Sequence, residues 1–172
     1  TQTDGICHEV IAPCPDLSDD RAIMAQELAL KIASLLDVTG MLAVELFDTG
    51  DEILVNELAM RPHNSGHWSM DGAVTSQFEN HLRAVLDWPL GSPATIAPIT
   101  IMVNLLGKDL ADLQSAFRHV MARDPNIKVH LYGKEVKLGR KIGHVNVIGD
   151  NLEDLKQRAW HAADYLTGVI DE

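Results

Sequence analysis

An α+β protein in two successive units is the fold class that three features of this sequence predict. Two short apolar runs separated by a polar, Gly-containing turn read as a β-hairpin. Helical-spaced apolar residues flank that hairpin on both sides. A Pro- and Gly-rich stretch then interrupts the pattern before alternating strand and helix signals resume. At 172 residues the chain is long enough for one sizeable core or two small ones.

The elements follow in order. Residues 6–12 read as a strand ended by Pro13 and Pro15. Ser18 then supplies an N-cap, with Asp19 and Asp20 in an acidic first turn, for a helix reaching about Leu36. Ala22, Leu28, Ala29, Ile32, Leu35 and Leu36 recur at helical spacing, so one face of this helix is expected to be buried. Residues 41–47 and 53–59 form the hairpin around Gly50. Residues 60–72 are too rich in Pro, Asn, Ser and Gly for regular structure and predict an ordered loop. Ser76 and Glu79 have capping-box spacing for a helix to about Leu86.

Pro89, Gly91, Ser92, Pro93 and Pro98 mark the boundary, which predicts domains over 1–92 and 93–172. In the second, residues 99–104 and 127–132 read as strands flanking a helix over 109–122. A strand over 141–148 and a closing helix over 152–166, capped by Asn151, complete it.

Composition narrows the function classes. Hydrophobic residues make up 46% and charged residues 23%, which excludes a disordered or fibrous chain. A net charge of −11 opposes a nucleic-acid partner, because that grip needs a basic surface that releases counterions. Local basic clusters remain able to hold a small phosphorylated ligand. Cys7 and Cys14 have no metal-ligand spacing and read as reduced thiols. No apolar run approaches the ~18 residues of a membrane-spanning helix, so no membrane partner and a cytoplasmic location are expected. The opening residues carry no initiator Met and run at once into a strand, which reads as a cut within a longer chain.

A hairpin turn centred on Asp51 places Phe47 opposite Val55, Glu45 opposite Glu57 and Ala43 opposite Ala59. Directly opposed like charges in an antiparallel ladder repel, so the Glu45/Glu57 pair needs a shared proton, a neighbouring cation or a divalent metal. Mg2+ suits one or two carboxylates completed by water and substrate phosphates. The segment after Glu57 concentrates Arg61, His63, Asn64, Ser65 and His67 in a few residues. Arg is a rigid fork for anionic oxygens, and an Asn-Ser-Gly turn exposes backbone N–H groups. A zinc pair of His63 and His67 is disfavoured, since Pro62 and Gly66 argue against the helix it needs. Lys134, Arg140 and Lys141 form a basic string that fits either a solvated surface or a phosphate site.

V-E-L-F at 44–47 and V-N-E-L-A-M-R-P-H-N-S-G-H-W at 55–68 resemble the C-terminal lobe of the ATP-grasp fold in the aminoimidazole ribonucleotide carboxylating synthases. T-S-Q-F-E-N-H-L-R-A from Thr75 and H-L-Y-G-K-E-V-K-L-G-R-K-I-G-H-V from His130 are similar to the same family, so the resemblance spans nearly the whole chain. It implies an antiparallel ATP-grasp lobe with helices, followed by a small α/β C-terminal domain. Formate-dependent glycinamide ribonucleotide transformylases share R-P-H but depart after it. Biotin carboxylases carry Glu-x-Asn-x-Arg where this chain has Glu57-Leu58-Ala59-Met60-Arg61.

The resemblance implies a ligase of purine biosynthesis. ATP phosphorylates bicarbonate to carboxyphosphate, and the amine of aminoimidazole ribonucleotide then takes the carboxyl group. By that likeness Glu45 and Glu57 bind Mg2+ (or Mn2+) on the ATP phosphates, with Asn56 beside the nucleotide. Arg61, His63 and Asn64 act at bicarbonate and the amine, Ser65 contacts substrate, and Lys134, Arg140 and Lys141 hold the 5′-phosphate. A homodimer is also expected. The family's nucleotide-fold domain and lid have no counterpart in these residues, so the chain alone is expected to be inactive. The alternatives are a non-catalytic ribonucleotide-binding or oligomerisation module and a fragment of a related ATP-grasp enzyme.

Overall fold

The structure, a computed structural model, describes residues 1–108 and 113–171. It divides into two compact units, Cys14–Thr95 and a second made of Thr1–Pro13 with Ile96–Glu172. The second therefore begins close to the expected boundary but also takes in the first thirteen residues. The cause is a backbone ladder: β3 (Glu9–Ala12) pairs antiparallel with β6 (Ile99–Leu106). The single strand expected over 6–12 is divided. β1 (Gln2–Thr3) and β2 (Ile6–Cys7) form a small hairpin around Asp4 and Gly5, both at positive φ, and β3 starts after His8.

In the second unit β7 (Lys128–Leu131) and β8 (Lys141–Gly149) complete a four-stranded sheet of order β3-β6-β8-β7, antiparallel throughout. Since β6 and β7 both oppose β8, they run in the same direction with β8 inserted between them, a split β-α-β unit. Its helix, α4 (Leu113–Arg123), belongs to the helix expected over 109–122; residues 109–112 lie outside the described residues. Ile101, Val103 and Leu105 alternate along β6, and Val145 and Val147 along β8, so one sheet face is a continuous apolar surface. The helix α5 (Leu152–Leu166), capped by Asn151, buries Leu155, Ala159, Ala162, Ala163 and Leu166 against it, the stripe of an amphipathic helix. Ala116 and Val120 of α4 join this core.

Arg158 of α5 forks between Asp124, just past α4 (Nε to Oδ2, 2.8 Å), and Asp154 (Nη1 to Oδ2, 3.1 Å). Burial pushes the Asp124 carboxyl up. Hydrogen bonds from Arg158 and from the N–H groups of Asn126 and Ile127 outweigh that and hold it below the usual carboxylate range.

The Cys14–Thr95 unit is built differently. The helix α1 (Asp19–Leu35) starts at Ser18, whose hydroxyl accepts from Arg21 N–H (3.4 Å). The hairpin is β4 (Ala43–Asp48) with β5 (Ile53–Ala59). Arg21 ties the helix to the hairpin turn, pairing with both carboxylate oxygens of Asp48 and donating to Glu52 O (3.1 Å). The expected buried face of α1 is not found: none of its residues is buried, and Leu30 and Leu35 are 70% and 75% exposed. A two-stranded ribbon offers too little apolar area to cover a seventeen-residue helix. Between the hairpin and α3 (Gln77–Val85), the expected loop contains a 3-10 turn over Asn64–Gly66 and a short helix α2 (Ser69–Gly72). Ser76 caps α3 by accepting from Glu79 N–H (3.2 Å). The Glu79 carboxylate turns to Arg83 instead (3.0 Å), so half of the capping box is used.

Because Asp124 is depressed in the folded state, its contribution is complete above the unfolded carboxylate value near ~3.9 and is lost as pH falls through the lower folded value. Asp124→Asn is expected to lower stability by about 1 kcal/mol at pH 7. In urea melts the gap to the parent protein should narrow toward pH 3.

Candidate functional site

The hairpin positions the acidic pair. Glu45 lies opposite Glu57 and Ala43 opposite Ala59, as the alternating pattern predicts, but Phe47 faces Leu54 and not Val55. The difference is a β-bulge: Asn56 is an extra residue on β5 between Val55, which pairs with Leu46, and Glu57, which pairs with Glu45. The bulge brings the Asn56 amide onto the acidic pair, where Nδ2 donates to Glu45 Oε2 (3.1 Å).

The loop after β5 returns to the same place. His63 Nε2 stands 3.7 Å from Glu45 Oε1 and 4.0 Å from Glu57 Oε1. Its other nitrogen, Nδ1, accepts from Ser65 N–H (3.4 Å) and lies 2.9 Å from Ser65 Oγ. A backbone N–H can only donate, so the neutral ring carries its hydrogen on Nε2, directed at the carboxylates. Glu45, Asn56, Glu57, His63 and Ser65 are thus brought together. Asn64 opens the 3-10 turn beside them and is half-buried. Arg61 is exposed; its Nη1 donates to Pro62 O (3.1 Å), and it makes no ion pair among the described residues.

Lys134, Arg140 and Lys141 belong to the other unit. Lys134 and Arg140 are exposed on the segment between β7 and β8, and Lys141 begins β8. Lys134 Nζ sits 5.2 Å from the centre of the Tyr132 ring, and Arg140 O accepts from Gly107 N–H (2.7 Å).

Among the described residues no three His, Cys, Asp or Glu side chains are arranged to enclose a metal. Two adjacent carboxylates with an amide beside them form a hard, open oxygen donor set. That set fits Mg2+ or Mn2+ completed by water and phosphate oxygens, and it does not fit a closed zinc cage.

Sequence reasoning missed Gln77, a buried polar side chain at the first turn of α3 that bonds to the loop. Its Oε1 accepts from His63 N–H (2.9 Å), and Nε2 reaches His63 O and His67 Nδ1, both at 2.8 Å. Its signal was faint: a Gln directly after an N-cap is ordinary, and its partners lie 10 and 14 residues earlier. His63, Ser65, Trp68, Gln77 and Asn80 help line a cavity of about 330 Å3.

Residues 1–78 match the ATP-grasp domain family, and residues 100–158 match the phosphoribosylaminoimidazole carboxylase C-terminal domain family. The chain is 55% identical over 170 residues to N5-carboxyaminoimidazole ribonucleotide synthase of Mycobacterium tuberculosis, covering 96% of this chain and 40% of that protein. It is 51% identical over 176 residues to the synthase of Corynebacterium ammoniagenes, covering 98% and 42%. Among solved structures, the synthetase of Thermus thermophilus superposes with a TM-score of 0.85 at 40% identity, covering all of this chain and 46% of that one. The Aspergillus clavatus synthase in complex with ADP and 5-aminoimidazole ribonucleotide gives 0.84 at 35%, covering 96% and 45%. The chain spans about 40% of the length of the curated relatives it matches.

Two carboxylates facing each other across a ladder repel without a cation. Glu57→Gln is therefore expected to stabilise the protein in divalent-free buffer by roughly 0.5 kcal/mol. Thermal melts in chelator, compared with the parent protein, measure it.

Proposed function

We propose that the chain is part of an N5-carboxyaminoimidazole ribonucleotide synthase of the ATP-grasp superfamily and supplies the metal- and substrate-holding part of that ligase. The reaction joins bicarbonate to the amine of aminoimidazole ribonucleotide at the expense of ATP, within purine biosynthesis. The observation that carries this reading is the convergence of Glu45, Glu57 and His63 Nε2 within 4.0 Å on the bulged hairpin.

Glu45 and Glu57 would hold Mg2+ or Mn2+, with Asn56 fixing the Glu45 carboxylate through its amide and adjoining the nucleotide. When bound, the metal neutralises phosphate charge, the chief demand of phosphoryl transfer. A bicarbonate oxygen attacks the terminal phosphorus of ATP and ADP leaves. The amine nitrogen then attacks the carboxyphosphate carbon, phosphate leaves, and the nitrogen gives up a proton.

Arg61 is assigned to the bicarbonate and carboxyphosphate oxygens, being an exposed fork with no competing carboxylate among the described residues. His63, with hydrogen on Nε2, is assigned to donate to a substrate oxyanion beside the metal that the acidic pair would hold, and so to orient it. Asn64 and Ser65, at the start of the 3-10 turn, complete the substrate side. Lys134, Arg140 and Lys141 are assigned to the ribonucleotide 5′-phosphate; a local run of cations in an otherwise acidic protein supports that role.

The Cys14–Thr95 unit exposes Leu30, Leu35, Phe47, Leu82 and Trp88, and each hairpin strand has an unpaired edge among the described residues. Such surface favours association, and a homodimer is proposed. The reduced thiols of Cys7 and Cys14 fit a reducing, cytoplasmic setting.

Glu45→Gln and Glu57→Gln in the full-length polypeptide carrying these residues should each lower turnover by about 100-fold or more and abolish Mg2+ dependence of nucleotide binding. Retained activity in both variants would sink the metal assignment. The 172-residue chain alone should show no ATP- and bicarbonate-dependent turnover and should sediment as a dimer. Calorimetry in which it binds the ribonucleotide but not Mg·ATP would favour a binding module over a catalytic part.

A further inference from the structure

Resting on that reading, we infer that Gln77 is the positioning residue of the substrate loop, and that Gly66 is glycine so that Gln77 can reach it. Gln77 is only 7% exposed, and its amide is spent on the loop. It spans the backbone of His63, accepting from its N–H (2.9 Å) and donating to its carbonyl (2.8 Å). The second hydrogen of Nε2 goes to His67 Nδ1 (2.8 Å), so every polar atom of the side chain is used and only one amide orientation satisfies all three bonds.

The same residue is held from behind. Its backbone N–H donates to Ser69 Oγ (2.9 Å), and that hydroxyl donates to Gly66 O (2.6 Å). Gln77 opens α3, whose N-cap is Ser76, so the first turn of a helix becomes the fixed frame for His63, Gly66, His67 and Ser69. Holding both backbone polar groups of one residue leaves its Cα–Cβ direction little freedom. The consequence is that His63 Nε2 stays aimed at Glu45 and Glu57.

Gly66 gives an independent observation. Its φ is not in the left-handed region, so backbone conformation does not require glycine there. A Cβ at this position would lie 2.4 Å from Gln77 Oε1 and 2.8 Å from its Cδ. An alanine must therefore displace the amide from its three bonds, and removal of the Gln77 amide removes the obstacle.

The two positions should thus act as one. In the full-length synthase, Gln77→Ala and Gly66→Ala are each expected to lower kcat/KM for the ribonucleotide by about tenfold or more, since small misplacements near the chemistry are costly. The double variant should be no worse than Gln77→Ala alone, and ADP affinity by calorimetry should stay within about twofold of the parent throughout. Additive losses, or ADP affinity falling in step with turnover, would overturn the inference. Gln77→Glu, which keeps the acceptor and loses both donors, replaces Gln77→Ala should the latter not fold, with the same loss expected. Hydrogen exchange at the His63 amide separates the two readings: a parent enzyme without synthase activity defeats the proposed function. Unchanged exchange at that amide in the Gln77 variant defeats the clamp.

Discussion

Electrostatic repulsion between two carboxylates held across one rung of a β-ladder is the constraint around which the Cys14–Thr95 unit is organised. Glu45 and Glu57 are direct cross-strand partners. What lies around them answers that repulsion with donors: the Asn56 amide on Glu45, and the imidazole of His63 near both. The divalent ion proposed for this site would offset whatever repulsion those donors leave.

The bulge and the loop solve separate parts of one geometric problem. Without the extra residue in β5, Asn56 would occupy a ladder position and alternate to the face opposite Glu57. With it, the amide joins the pair. The loop presents the imidazole at the N-cap of a 3-10 turn, and the short helix that follows is fastened to the start of α3. Rigid elements thereby carry side chains that a free loop would leave loosely placed.

How far this was readable follows from the range of each interaction. The Glu45/Glu57 pairing comes from period-two alternation and a turn only a few residues long, so local pattern carries it. The shift of Phe47 onto Leu54 does not, because a bulge leaves alternating apolar letters unchanged on either side. The burial of α1 was misjudged for a related reason: helical spacing marks which residues share a face, not whether anything covers it. Gln77 was invisible because its role depends on atoms 10 to 14 residues away, meeting it at a helix start. In the other unit the strand and helix periods sufficed for β6, β7, β8 and α5, but not for the division of residues 1–12 into three short strands. The partner of β3 was not legible, since it lies beyond an entire intervening unit.

That pairing bears on how the chain reaches its native state. Asn104 donates its side-chain amide to the carbonyl of Cys7, 97 residues earlier, and β3 meets β6 across the same gap. The Cys14–Thr95 unit is in effect an insertion between an edge strand and the rest of its sheet. During synthesis β3 emerges before β6 and cannot make this pairing until the whole insertion has been made. Closing that long excursion carries an entropic cost, which shrinks if the insertion compacts early and brings its ends together. The topology thus predicts that β3 docks on β6 only after the intervening Cys14–Thr95 segment has been made.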